Sequence, residues 1–257
     1  MADNSIPASA VPRINQLTMA DLSAVLRLGW RDFCAAPAFG LFFSVAYVLG
    51  GWLMIYALTV SGQIWWTLPA SAGFPIIAPF LACGLYDVSR RIEVGAPLNW
   101  PAVLGVVWAE KNRQIPSMAT VIVVFFLFWN FLAHMIFALF LGLSAMTDIS
   151  SSPGVFLTAN GLTMLAVGTG VGAVFATLLF SITVVSLPLL MDREIDFVTA
   201  MITSFGTVQR NPAVMLTWGA GIAVLVFLAM LPAFLGLLIV MPVLGHATWH
   251  LYRRALT

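Results

Sequence analysis

Two histidines near the end of the chain have the type and spacing that could do chemistry. His246 and His250 are four residues apart, so they share one face of a helix. Such a pair can hold a metal ion when a third ligand joins it. The glutamate that metalloproteases place between two histidines of this kind is absent. Any proton or metal site built on this pair must therefore be completed from another part of the chain.

Asp87 is the candidate for the third group, because its surroundings repeat those of His250. The stretch Pro79–Arg91 recurs as Pro242–Arg254, with a proline, an aromatic residue seven positions on and an Arg-Arg pair at the same offsets. Asp87 and His250 each follow their proline by eight residues. If the two stretches meet around an axis, then Asp87, His246 and His250 converge on one proton or ligand site.

A structural interpretation competes with this site. Asp87 stands at helical spacing from Arg90 and Arg91, with which it can form ion pairs. His250 would then lie at the wet interface beside Arg253. We favour the structural interpretation and keep the site as the alternative, since ionisable groups within membrane spans are often functional.

The composition places these residues in a membrane protein. Of 257 residues 61% are hydrophobic and 8% are charged, whereas roughly a quarter of the residues of a soluble protein are charged. The 11 Lys and Arg nearly balance the 10 Asp and Glu, so no basic excess indicates a nucleic acid partner. The sequence predicts an all-α polytopic membrane protein whose partners are membrane lipids and other integral membrane proteins.

Three similar units follow residues 1–18, which we expect to form a flexible cytoplasmic tail. In each unit a predicted amphipathic surface helix begins 16 residues before a proline, and a hairpin of two apolar spans follows. The surface helices begin at Asp21, Trp100 and Asp196, and the units cover residues 19–95, 96–194 and 195–254. Because each unit has an even number of spans, the three hairpins are predicted to be parallel. Residues 19–254 would thus form a single domain with six transmembrane helices.

Local patterns predict how these helices pack. The first surface helix has Leu22, Val25, Leu26, Gly29 and Phe33 on its apolar side and Arg27, Arg31 and Asp32 on the other. In the fourth span, small residues recur every four positions and predict a face packed at the centre of the bundle: Gly168, Gly172 and Ala176. The second span contains Pro69, Pro75 and Pro79, which predict a bent or partly unwound helix.

The basic residues predict the orientation. All 11 fall on one side of the six predicted spans, while the outer connections at residues 61–63 and 144–158 contain none. By the positive-inside rule that side is the cytoplasm, where both termini would lie. Two arginine pairs are predicted to anchor helix ends at the membrane surface: Arg90 with Arg91, and Arg253 with Arg254.

Several motifs resemble a known bacterial family of integral membrane proteins. The motifs are Gly29-Trp-Arg-Asp-Phe33, Gly50-Gly-Trp52, Phe74-Pro75, Ala78-Pro-Phe80 and Gly84-Leu-Tyr-Asp-Val-Ser-Arg-Arg91. They resemble the family named domain of unknown function 2189, over nearly the whole chain. The resemblance implies a multi-pass protein of the bacterial inner membrane. The family, which is mostly alphaproteobacterial, has no established activity, although some members carry a label as cytochrome c oxidase subunits.

We therefore expect a non-enzymatic protein without cofactors, an accessory or assembly subunit of a larger respiratory or photosynthetic membrane complex. A haem-copper catalytic subunit needs about six histidine ligands, and this chain has three histidines. Cysteine clusters, serine-nucleophile patterns and phosphate-binding glycine loops are missing. The alternative is a transporter of a small molecule, lipid or ion. Its site would lie between the proline-containing second and sixth spans, with Asp87, His246 and His250 at the cytoplasmic exit.

Overall fold

The computed structural model describes residues 10, 12–59, 67–142 and 153–257. In this part of the chain the regular structure is helical, and one isolated β-bridge joins Ile14 to Leu256. The helices are α1 (Met19–Ala35), α2 (Pro37–Thr59), α3 (Thr67–Val94), α4 (Trp100–Glu110), α5 (Ile115–Leu141), a 3₁₀ turn (Pro153–Leu157), α6 (Ala159–Thr183), α7 (Ser186–Asp192), α8 (Phe197–Arg210), α9 (Pro212–Met230) and α10 (Leu237–Ala255). The predicted all-α class is confirmed. The first outer connection, and most of the second, lie outside the described residues.

Capping side chains and prolines set the boundaries of the surface helices. At the start of α1, the Thr18 backbone N–H and hydroxyl both donate to the Asp21 carboxylate, at 2.8 and 2.7 Å. The side chains of Asn99 and Asp196 accept hydrogen bonds from backbone N–H groups at the starts of α4 and α8. A proline then stands at the first or second position of α2, α5 and α9, where its missing N–H has no helical partner to lose.

Four stretches are long and apolar enough to cross a membrane: Pro37–Tyr56, Ile115–Leu141, Ala159–Asp192 and Pro212–Met230. The helices α3 and α10, predicted as the second and sixth spans, do not meet this criterion over the residues that the structure describes. The α10 helix carries two histidines and ends with Arg253 and Arg254. The six-span arrangement therefore stays a prediction.

The central element of the core is α10, which packs against α1, α2, α3 and α9. Trp249 and Leu251 on α10 are fully buried. Gly29 on α1 lies so close to α10 that an added Cβ would stand 2.5 Å from the Val243 carbonyl oxygen. A Cβ added at Gly245 on α10 would likewise stand 2.6 Å from the side chain of Leu85 on α3. Glycine thus permits the close approach of α1 and α3 to α10.

The proline-rich helix differs from its prediction. The α3 helix is continuous from Thr67 to Val94 through Pro75 and Pro79, so the partly unwound alternative is wrong and the bend stays a prediction. A proline removes one backbone hydrogen bond and the rest of the helical ladder remains. Packing against α2, α5 and α10 then holds the helix together.

The turn between α9 and α10 covers residues 231–236, so α10 begins at Leu237. Ala233 and Phe234 adopt positive φ angles of 51° and 67° in this turn. The Trp52 indole N–H of α2 donates to the Ala233 carbonyl oxygen at 2.8 Å. Contacts with α2 therefore hold a backbone conformation that side-chain-bearing residues rarely adopt.

The small residues of α6 are not packed at the centre of the bundle, so that prediction is wrong. A Cβ added at Gly168 would meet no atom within 4 Å, and Ala176 is exposed. Gly172 contacts the Trp129 indole of α5. The row of small residues lies beside α5 and at the edge of the bundle. The α6 helix packs mainly against α5 and α8.

Candidate functional site

A buried polar network joins α1, α3 and α10. Asp32, Ser89 and His246 are fully buried, and His250 is 7% exposed. One Asp32 carboxylate oxygen, Oδ2, lies 2.9 Å from the Ser89 hydroxyl and 2.6 Å from His250 Nε2. The other oxygen, Oδ1, accepts two hydrogen bonds from the Arg31 guanidinium, at 2.7 and 3.0 Å. One carboxylate thus holds three helices together.

Ser89 extends the network from Asp32 to His246. Its Oγ lies 2.8 Å from His246 Nδ1. The ionised Asp32 carboxylate can only accept, so Ser89 donates its single hydroxyl proton to Asp32 and accepts a hydrogen bond from His246 Nδ1–H. His246 Nε2 is then a bare nitrogen, and it is buried without a hydrogen-bond partner. The Leu85 carbonyl also interacts with this ring.

The network holds Asp32 in its ionised form. Burial raises the pKa of the Asp32 carboxyl, but hydrogen bonds from His250, Arg31 and Ser89 outweigh it and leave the pKa below its ordinary value. The close contact of Gly29 with α10 brings Asp32, three residues later, against the same helix.

Asp87 does not join this network. Its carboxylate oxygens bind Arg90 and Arg91, each at 2.6 Å, as the structural interpretation of the sequence predicted. Asp87 and Ser89 are two residues apart on α3, so their side chains point about 200° apart around the helix. The structure therefore brings His246 and His250 together through Ser89 and Asp32, and it leaves Asp87 outside.

The predicted place of His250, at the wet interface beside Arg253, is wrong. The His250 side chain turns into the protein towards Asp32, while Arg253 pairs with Glu93 at 3.1 Å. The second arginine of this pair, Arg254, binds Asp21 of α1. The four predicted anchors thus form ion pairs with Asp87, Glu93 and Asp21.

Sequence reasoning missed Asp32 and Ser89. The placement of Asp32 on the polar side of α1 is wrong, because the residue is buried against α10. A signal existed in the sequence, since Asp32 follows Gly29 by three residues and so shares its face of the helix. Ser89 likewise follows Leu85 by four residues on the face of α3 that meets α10. Neither spacing identifies the partner helix.

A cavity of about 340 Å³ lies between α5 and α6, away from the network. It is lined by Trp129, Ala133, Ile136, Phe137, Met164, Leu165, Gly168, Thr169 and Gly172. Almost all of this lining is apolar, so the cavity suits a hydrocarbon group and offers little to a charged ligand. The transporter alternative had placed its site elsewhere, between α3 and α10.

The geometry of the network suits the holding and sharing of protons. Among the described residues no three His, Cys, Asp or Glu side chains are placed to hold a metal ion. A serine nucleophile needs a base to take its proton and a path to substrate. Ser89 instead gives its proton to Asp32 and is fully buried. The arrangement is that of a clamp between helices.

Comparison with known proteins bears out the family resemblance for about half of the chain, residues 67–192. Residues 67–192 match the model of a family described as a predicted integral membrane protein, domain of unknown function 2189. The match covers α3 to α7 and includes Asp87 and Ser89, whereas α1 and α10 lie outside it. No curated protein and no solved structure matches the chain. The match and the four apolar helices together identify an integral membrane protein.

Proposed function

We propose that the protein acts by interaction, as an accessory or assembly subunit of a larger respiratory or photosynthetic complex in the bacterial inner membrane. The observation that carries this proposal is the exposure of α5. Only 6% of its most apolar stretch is buried inside the protein, compared with 22% to 44% for the other three candidate spans. One face of α5, which includes Val124, Phe128 and Phe131, is therefore exposed and free to contact lipid or another protein.

The cavity between α5 and α6, here called the α5–α6 groove, is the surface that we assign to the partner. Gly168 and Gly172 border it, and the space above Gly168 is open. Small residues four apart let another helix approach closely. We therefore assign the groove to an apolar transmembrane helix of another membrane protein.

The packing of the surface helices supports the proposed architecture of three parallel units. The α1 helix packs on α10, α4 on α3, and α8 on α6, so each surface helix contacts the second hairpin helix of the preceding unit in cyclic order. Ion pairs join helix ends of all three units at one end of the bundle. They link Arg113 to Glu194, Arg253 to Asp192 and Arg254 to Asp21. We place this charged end in the cytoplasm.

Purification of a tagged copy from native membranes in gentle detergent tests the proposal. We compare the natural chain with Gly168→Leu, which fills the groove, and with Gly170→Leu as the matched control. An added Cβ meets no protein atom within 4 Å at either glycine, and the two positions point about 200° apart around α6. We expect the natural chain and Gly170→Leu to recover the same partner, and Gly168→Leu to recover at least about tenfold less, a loss of roughly 1.4 kcal/mol of binding free energy.

Two outcomes would contradict this proposal. The first is repeated recovery of the natural chain as a lone monomer or a simple homo-oligomer. The second is an equal loss of partner in both leucine variants, which would indicate a general disturbance of α6.

The contact between Ser89 and His246 favours the transporter as a second candidate function, because it places polar groups between α3 and α10. In this case His246, with Asp87 near the cytoplasmic end, would couple a substrate to protons. Reconstituted vesicles should then show pH-dependent uptake that is lost when Asp87 and His246 are replaced together. Uptake that is absent from the natural chain, or unchanged in the double variant, would exclude this candidate.

A further inference from the structure

Glu110 is a buried acid in an unfavourable electrostatic position. It is 3% exposed and is the last residue of α4. Leu104 and Trp108 of the same helix are exposed, so the acidic residue and not the large apolar ones faces the protein. The C-terminal end of a helix carries partial negative charge and disfavours a carboxylate. Both burial and helix position therefore act against ionisation of Glu110.

Only one of the two carboxyl oxygens of Glu110 has a hydrogen-bond partner. Oε1 accepts a hydrogen bond from the Arg113 guanidinium, whereas Oε2 is buried without a partner. The same guanidinium also donates to Glu194 at 2.6 Å. Two carboxyl groups thus share one cation, and the one that is buried is the harder to ionise.

The other charges nearby are already engaged. The charged and titratable groups around Glu110 are Cys83, Asp87 and Arg90 on α3, together with Lys111, Arg113 and Glu194. Arg90 attracts Glu110 through space but bonds to Asp87 at 2.6 Å. The Lys111 ammonium lies over the exposed Trp108 ring, 3.5 Å from its centre. Arg113 is therefore the cation that bonds to Glu110, and it is shared.

Glu110 and Asp32 differ in how many of their carboxyl oxygens accept hydrogen bonds, although each residue belongs to a surface helix that is docked on another unit. Both oxygens of Asp32 accept hydrogen bonds. For Glu110, burial raises the pKa, the hydrogen bond from Arg113 offsets part of this effect and the charge of Glu194 adds to it, so the pKa lies above the ordinary value. Of the two junctions, the one between α4 and α3 is therefore the one that should weaken as pH rises.

We propose that Glu110 is a proton-binding latch: the neutral carboxyl keeps α4 docked on α3, and release of its proton to water loosens α4. In this step the carboxyl O–H bond breaks, the proton passes to solvent, and the new carboxylate competes with Glu194 for Arg113. A group whose pKa is raised in the folded protein adds stability at low pH, and this stability is lost as pH rises through the folded pKa. Docking of α4 should therefore weaken as pH rises.

Hydrogen–deuterium exchange of the α4 amides in the purified full-length protein tests the latch. Exchange in α4 is divided by exchange in α1 of the same molecule, which cancels the effect of pH on the chemical exchange rate. The comparison is made above the ordinary aspartate pKa, where the contribution of Asp32 to the stability of α1 stays constant. We expect the ratio to rise with pH, by at most about tenfold per pH unit, as for the release of one proton. In Glu110→Gln, whose side chain stays neutral, the ratio should stay at the low-pH value of the natural protein.

Two further variants sharpen the test. Glu194→Gln frees Arg113 for Glu110, so the rise should move to lower pH, and this result does not require that Glu110→Gln folds. Glu93→Gln removes a carboxylate that binds Arg253 and Trp249 of α10, and it should leave the rise unchanged. A ratio that does not change with pH in the natural protein, an equal rise in Glu110→Gln, or an unchanged midpoint in Glu194→Gln would overturn the proposal.

Discussion

At the scale of single residues, the charge of a buried carboxylate depends on how many donors reach it. Asp32 and Glu110 are both buried in a protein that carries few charges. Asp32 receives hydrogen bonds at both oxygens from three side chains, while Glu110 shares one guanidinium with Glu194. At Asp32 the hydrogen-bond donors outweigh the increase in pKa that burial causes. At Glu110 they do not, so its pKa stays raised.

Asp32→Asn should lower the free energy of unfolding by about 3 kcal/mol near neutral pH, because it removes the charge to which the buried Ser89 and His250 and the exposed Arg31 bond. The pKa of Asp32 is lowered in the folded protein. Its contribution is therefore fully present above the ordinary aspartate pKa and is lost as pH falls through the folded value. Thermal unfolding in mild detergent should show the natural protein and the variant converging at acidic pH.

Asp21→Asn is the control for this prediction. Asp21 caps the other end of α1 and binds Arg254, so its replacement should cost only about 1 kcal/mol. A difference between Asp32→Asn and the natural protein that stays constant from neutral to acidic pH would show that the Asp32 charge does not stabilise the fold.

At the scale of helices, glycine decides how closely α1 approaches α10. A Cβ on Gly29 would stand 2.5 Å from the Val243 carbonyl oxygen and 2.8 Å from the Ala247 backbone nitrogen. Backbone atoms within a packed helix cannot move aside as a flexible side chain does. The position of Asp32, and with it the whole network, therefore depends on a glycine one helical turn earlier.

Gly29→Ala should separate α1 from α10 and lower the free energy of unfolding by about 1–3 kcal/mol. Gly50→Ala is the matched control, since Gly50 lies inside α2 with no atom within 4 Å of an added Cβ. Alanine favours helix over glycine by about 1 kcal/mol, so the control should be neutral or slightly stabilised. Limited proteolysis within α1, together with thermal unfolding, measures both variants. Equal proteolysis and equal unfolding temperatures of the two variants would mean that the close contact between Gly29 and α10 does not stabilise the fold.

At the scale of the whole molecule, the remaining question is how the helices cross the membrane. We predict that single cysteines at Lys111 and Gln209 react with an impermeant thiol reagent only from the cytoplasmic side, and a cysteine at Leu231 only from the outside. All three positions are exposed, and Cys34 and Cys83 are first replaced by serine. Leu231 lies in the turn between α9 and α10 and thus reports on whether α9 crosses the membrane.

Comparison of intact cells with inverted membrane vesicles gives this measurement. Labelling of the Lys111 or Gln209 cysteine from outside would reverse the proposed orientation. Labelling of the Leu231 cysteine from the cytoplasmic side would contradict a crossing by α9 and with it the six spans.

The sequence by itself determined the features that arise within one helix or between neighbours along the chain. It predicted the helical class, the prolines that begin α2, α5 and α9, and the ion pairs of Asp87 with Arg90 and Arg91. These depend on hydrogen-bond pattern, backbone restriction and contacts three or four residues apart, all of which are local.

Only the tertiary structure decided which helices meet. Asp32 is 57 residues from Ser89 and 218 from His250, and Ser89 is 157 from His246. Repeat offsets paired His250 with Asp87, but a polar side chain buried in a core bonds to whatever donor or acceptor the packing places beside it. Here the contact of Gly29 with α10 placed Asp32 beside His250. Asp87 instead forms ion pairs with Arg90 and Arg91, which are three and four residues away on the same helix.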